Sequence, residues 1–151
     1  MNSKKLPSTS RSLPIALIRA REGAMKPIRN MLAETGVTEQ QWRVLRVLSE
    51  FGPLDASTLA ERTSLLFPSL TRIIQSMRSK ELVTQIQDKN DRRRQVISIT
   101  HAGQKLIDDN LEQASHIAKR FQTVLGVQNY ETLLDLLAML DTNNLDGKPK
   151  E

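Results

Sequence analysis

Apolar residues recur along this chain at two different spacings, and the switch between them marks its middle. From Leu13 to Ala33, the positions Leu13, Leu17, Ala20, Ala24, Ile28 and Met31 form a stripe at helical spacing and predict a long first helix. Ser12 is placed to cap it, and Pro14 is tolerated in a first turn. Pro27 would crowd the carbonyl of Gly23, so a bend or break is expected there. Thr38-Glu39-Gln40-Gln41 has the pattern of a capping box and opens a second helix over residues 39–51, which Gly52-Pro53 ends. Asp55 caps a short third helix over residues 56–63, with Leu59 and Ala60 facing inward. A fourth is predicted from Pro68, a favoured first helical residue, to Ser79, with Leu70, Ile73, Ile74 and Met77 as its buried face.

After Leu82 the period drops towards two. VTQIQ, a polar tip DKNDRRR, and QVISIT read as a β-hairpin with a long basic loop. Thr100 then caps a fifth helix, whose Ile107, Leu111, Ala114, Ala118, Phe121 and Leu125 step by four and three as a packed seam requires. Gly126 stops it, and a sixth helix over residues 128–142 presents Tyr130, Leu133, Leu134, Leu137 and Leu140. The predicted fold class is mainly α with a small β-wing: a winged helix-turn-helix embedded in a helical dimerisation frame. Residues 1–11 read as a flexible basic arm and 12–143 as a single domain. Within it 38–100 is the DNA-reading lobe, 12–33 and 101–143 are dimerisation helices, and 144–151 is a frayed tail.

Composition narrows the chemistry. The 151 residues suffice for one core, and with aromatics at 3% that core rests on aliphatic side chains. The absence of cysteine excludes disulfides, thiolate zinc sites and thiol redox sensing. His101 and His116 have no ligand spacing around them, so neither a metal nor another cofactor is expected. No apolar run approaches a membrane span, and MNSKKLPSTSRS lacks the apolar stretch of a signal peptide, so a cytoplasmic protein without a membrane partner is expected. The net charge is +5, and its distribution says more: between Arg72 and Arg94 seven basic residues stand against three acidic ones. A polyanion is the natural partner for such a segment.

Two short helices joined by a tight turn, with polar residues opening the second, suit entry into a major groove. Pro68 starts that helix; Ser69, Thr71 and Arg72 lie in its first turn, and Arg78 near its end. Hydroxyls can serve bases or phosphates, and arginine can pair bidentately with guanine. On the hairpin tip, Asp91 precedes Arg92, Arg93 and Arg94, three adjacent cations whose repulsion a polyanion relieves; an arginine there is shaped to enter a narrow minor groove. A merely solvated charged turn is the alternative.

The stretch DRRRQVISITHAG resembles the wing signature of the multiple-antibiotic-resistance regulator (MarR) family in Asp91, Arg93, Ile97, Ile99, Thr100 and Gly103, and PSLTRIIQSMRSKELV resembles its recognition helix. The likeness runs from about Ser12 to Leu140. IALIRAREGAM, TEQQWRVLRVL and GPLDASTLAER are similar, more narrowly, to the family's regulators of aromatic-acid catabolism, the homoprotocatechuate-operon and hydroxycinnamate-operon repressors. The resemblance implies a two-fold homodimer held by the first, fifth and sixth helices on double-stranded operator DNA. It places the fourth helix in a major groove and Arg93 in the minor groove, steadied by Asp91. It also implies repression of an aromatic catabolic operon, relieved by a small aromatic carboxylic acid. Glu81 stands where the family often has glycine, which puts a positive φ at the helix end in question.

Trp42 and Arg46, four apart on the second helix, together with Arg19 and Arg21 on the first, have the chemistry of an aromatic-carboxylate site: a flat apolar wall and guanidinium donors. A core tryptophan with structural arginine ion pairs fits the same residues. An activator or a ligand-independent repressor would use the same fold. An enzyme is not expected, for neither histidine has a nucleophile near it and there is no glycine-rich phosphate loop. The basic wing argues against a pure protein-interaction adaptor.

Overall fold

The computed structural model describes residues 5–141. After a 3-10 turn at Thr9–Arg11, within the expected arm, come α1 (Leu13–Leu32), α2 (Glu39–Phe51), β1 (Leu54–Asp55), α3 (Ala56–Thr63) and α4 (Phe67–Ser79). The hairpin strands β2 (Val83–Gln87) and β3 (Gln95–Ile99) follow, then α5 (His101–Leu125) and α6 (Val127–Ala138). The chain forms two compact units that divide within α5. Met1–Glu112 make the first and Gln113–Glu151 the second. The expected tail at 144–151 lies outside the described residues.

Most of the predicted punctuation is found. The Thr38 hydroxyl accepts from the Gln41 amide and the Gln41 side chain accepts from the Thr38 amide, closing the capping box. Asp55 Oδ1 accepts from the Thr58 amide at 2.8 Å, and Thr100 Oγ1 from the Gly103 amide at 3.1 Å. Ser12 occupies the N-cap of α1 but makes no side-chain cap bond.

Three expectations need correction. Of the bend or break expected at Pro27, the break does not occur, and helix α1 continues through that residue. The carbonyl that proline strips of a donor belongs to Gly23, which is exposed and so open to solvent. Helix α6 ends at Ala138, before the expected residue 142. The wing has three strands, not two, in the order β1-β3-β2. Leu54 pairs with Ile97 and Asp55 with Val96, a contribution of two residues too short to leave a periodic signal.

The core of the first unit is made by Val44, Leu45 and Leu48 of α2, Leu59 of α3, Leu70 and Met77 of α4, and Ile97 of β3, all essentially inaccessible. Thr63 is buried among them with its hydroxyl donated to the carbonyls of Leu59 and Ala60, which satisfies it without solvent. Gln41 is buried too, and it joins α2 to α4. Its amide donates to Ser76 Oγ, and its carbonyl accepts from Lys80 Nζ, which also donates to the Gly36 carbonyl at 2.6 Å.

Helices α3 and α4 end alike. At each, a non-glycine residue takes a left-handed conformation: Ser64 at φ 53° and Glu81 at φ 60°. The Leu82 amide donates to the Met77 carbonyl and the Glu81 amide to the Arg78 carbonyl; Leu65 with Ala60 and Ser64 with Glu61 repeat the arrangement. Such a conformation costs about 1–2 kcal/mol for a residue with a Cβ. At α4 the strain is held from both sides, since Thr100 Oγ1 donates to the Glu81 carbonyl and the Thr100 amide to the Leu82 carbonyl. Gly103 fits against the same place. A Cβ there would stand 2.4 Å from the Leu82 carbonyl oxygen and 2.8 Å from Ile99 Cγ1.

Candidate nucleic-acid interface

The fourth helix presents two faces set by its spacing. Leu70, Ile74 and Met77 are buried; Pro68, Thr71, Arg72, Gln75 and Ser79 recur on the opposite, exposed side. Arg72 and Arg78 point their charge to solvent with no ion pair among the described residues. Ser69 is half-buried and flanks this surface. Thr71 Oγ1 donates to the Phe67 carbonyl, so its hydroxyl hydrogen is already engaged. Gln75 was not singled out from the sequence, although it lies mid-face and its side chain has the donor and acceptor pair that suits adenine. Helical spacing from Arg72 and Pro68 would have found it.

The wing tip is shaped by its own backbone. Beyond Gln87, the Asp88 amide donates to the Arg94 carbonyl; Gln87 Nε2 donates to the Arg92 carbonyl at 2.6 Å. Asp91 organises the turn, with Oδ1 accepting from the Arg93 amide at 3.0 Å and its carbonyl accepting from the Arg94 amide. Asp91 therefore steadies Arg93 through the main chain; among the described residues no ion pair joins the two side chains.

The three arginines differ. Arg94 pairs with Asp55, the cap of α3, and so ties the wing to the helix-turn-helix. The Thr58 amide and the Arg94 guanidinium together hold the Asp55 carboxyl down at about 2. Arg92 and Arg93 have no ion pair among the described residues and remain exposed. The strap anchors the base of the loop, at whose tip the other two cations have no ion pair among the described residues.

A second constellation lies on α1 and α2. Trp42 is buried, at 6% exposure, and therefore belongs chiefly to the core. Arg21 donates to Glu39 Oε1 at 2.6 Å, and Arg29 pairs with Glu22 and lies 3.6 Å from Glu39 Oε2. Arg19 and Arg46 are exposed and, among the described residues, unpaired. Arg43, unmarked by the sequence reading, is half-buried and donates to the Thr63 carbonyl at 2.8 Å; burial first, and the nearby Arg21 charge second, lower its pKa. Of the four expected residues, Trp42 and Arg21 thus have structural work, and Arg46 is the free guanidinium one turn from the indole.

Among the described residues no group of acidic, histidine or cysteine side chains is arranged to hold a metal ion, and no helix is long and apolar enough to cross a membrane.

Residues 37–94, from the start of α2 to the wing tip, match the profile of the MarR family. The HTH-type transcriptional regulator FarR of Neisseria gonorrhoeae is 38% identical over 129 residues, which span 85% of this chain and 88% of that protein. The chain belongs to the MarR family. It is a winged-helix transcriptional regulator and not an enzyme. The homoprotocatechuate degradative operon repressor of Escherichia coli is 36% identical over 126 residues, 83% of this chain and 85% of its own. Among solved MarR-type structures, NadR in complex with 4-hydroxyphenylacetate superposes with a TM-score of 0.78 at 36% identity, covering 91% of this chain and 98% of that one.

Proposed function

We propose that this MarR-family chain is a homodimeric repressor of an aromatic catabolic operon, released from a pseudo-palindromic operator by a phenolic acid of the hydroxyphenylacetate or hydroxycinnamate type. The observation that carries the DNA half is the pairing of an exposed polar face on α4 with a strapped wing whose Arg92 and Arg93 have no ion pair among the described residues. Pro68, Ser69, Thr71, Arg72, Gln75 and Arg78 enter or flank the major groove. Arg93 reaches the adjacent minor groove, where an unneutralised guanidinium meets the strongest negative potential.

The proposed dimer rests on unburied leucine. In α6, Leu133, Leu134, Leu136 and Leu137 are all exposed, as are Leu13, Leu17 and Ile18 of α1 and Leu111 of α5. Four exposed leucines on one short helix mark an interaction face. Residues 12–33 and 101–143 then serve as dimerisation segments and 38–100 as the reading lobe of each subunit.

The effector half draws on the E. coli homoprotocatechuate repressor and on NadR, each 36% identical. Arg46 supplies the carboxylate partner, Arg43 and Arg19 add positive potential, and Trp42 forms an apolar wall. Release follows if the acid binds better to a dimer whose two α4 helices no longer match the half-site spacing. Arg93→Ala tests the placement of the wing. It should weaken operator binding and lower the slope of log affinity against log salt by about 1. An unchanged affinity and slope, measured by anisotropy across a salt series, would remove Arg93 from the interface.

A further inference from the structure

The junction between α3 and α4 breaks two local rules at once. Its N-cap position holds Leu66, among the least favoured capping residues, and no side chain caps the helix. Leu66 and the following Phe67 are 77% and 52% exposed. Within the reading lobe the other large exposed apolar residues are Phe51, over whose ring Arg62 stacks at 4.0 Å, and Ile86 on the wing. Two adjacent large apolar side chains in water, where a serine or aspartate would stabilise the helix, are the mark of a site under a different demand. Phe67 sits one turn before Thr71, whose hydroxyl is donated to the Phe67 carbonyl, so Thr71 adds a methyl group to the same apolar strip.

A recognition helix enters the major groove with its N-terminal residues nearest the base edges, and the apolar feature on those edges is the C5-methyl group of thymine. We propose that Leu66, Phe67 and the Thr71 methyl group form an apolar reader of thymine methyls in each half-site. Phe67 makes the main contact. The inference rests on the reading of α4 as the groove-binding helix and adds the base it selects at its leading end. Water leaves both the ring and the methyl group when they meet, and no hydrogen bond is required, which suits a position whose side chains have none to give.

The test begins with selection of binding sites from a pool of randomised duplexes by the wild-type protein. Each thymine in the selected site is then replaced symmetrically by deoxyuridine, which lacks only the methyl group. At one or two positions per half-site, wild-type affinity should fall about fourfold for each methyl lost. Phe67→Ala should bind the unmodified site more weakly and be indifferent to deoxyuridine at those positions; Phe67→Met should retain most of the discrimination. Because Phe67 is half exposed, circular dichroism should show both variants folded. A deoxyuridine penalty that survives undiminished in Phe67→Ala, or the absence of any sensitive thymine, overturns the assignment while leaving the regulator intact. Failure of the wild-type protein to select any sequence overturns the groove-binding reading and this one with it.

Discussion

Helices α2 and α6 are nearly equal in length, thirteen residues and twelve, and opposite in fate. Helix α2 buries Gln41, Trp42, Val44, Leu45 and Leu48 within its own chain; α6, which carries four leucines, buries nothing. The first is capped on both sides, hydrogen-bonded to α4 and packed against α3. The second carries its leucines exposed among the described residues. Its stability as a helix needs tertiary burial, because a segment this short is marginal in water alone. The difference separates the residues that make a lobe fold from those that make two lobes act together.

The sharpest way to break the comparison is to damage each region separately. Gly103→Ala drives a Cβ into the Leu82 carbonyl and should destabilise the reading lobe by about 3 kcal/mol, measured by urea denaturation. A change under 0.5 kcal/mol would mean that the close approach of α5 to the end of α4 is easily relaxed. Leu134→Asp with Leu137→Asp acts on the other side. The pair should raise the dimer dissociation constant more than a hundredfold by sedimentation, while the far-ultraviolet spectrum of the lobe persists. A variant still dimeric at micromolar concentration would show that α6 does not carry the interface.

The wing strap offers a smaller effect with a defined pH window. The Asp55 carboxyl is held near 2 in the folded chain, below its ordinary value of 3.8. The stability it lends is therefore fully present above about pH 4 and disappears as the pH falls towards 2. Asp55→Asn keeps an acceptor for the cap but loses the charge. It should cost about 1 kcal/mol at neutral pH, with the gap to wild type closing as the pH falls from 4 to 2. A gap independent of pH would mean that the Asp55 charge contributes nothing to the difference. Smallest, and opposite in sign, is Glu81→Gly. Relief of the left-handed conformation, partly offset by the greater entropy glycine loses on folding, should raise stability by about 0.5 kcal/mol, and a loss instead would mean that the Glu81 side chain has a partner worth more than the strain.

Much of this was legible in the chain. The capping box at Thr38, the caps at Asp55 and Thr100, and the drop in period at Val83 all act locally, and local signals survive in sequence. The departure at Glu81 was legible as well, and the backbone there does take positive φ. What sequence could not carry were contacts between distant segments. Strand β1 exists through its pairing with β3, Arg94 is distinguished from its neighbours by Asp55, 39 residues away, and Arg43 by a carbonyl on α3. Ile117 of α5 is buried and lies off the expected seam, whereas Leu111, Ala118 and Leu125 on that seam are exposed within the chain, as a face kept for a second subunit would be. Trp42 was read as part of an effector wall because an indole beside an arginine carries that chemistry, yet burial gives it a core role first.

The central claim is best tested by fluorescence anisotropy on a labelled duplex from upstream of the protein's own gene, titrated with and without 4-hydroxyphenylacetate and p-coumarate. Binding in the nanomolar range by a dimer, weakened severalfold by one of these acids, is expected. Tight binding indifferent to every phenolic acid would contradict the effector assignment, and weak binding equal to that of unrelated DNA would contradict the repressor itself.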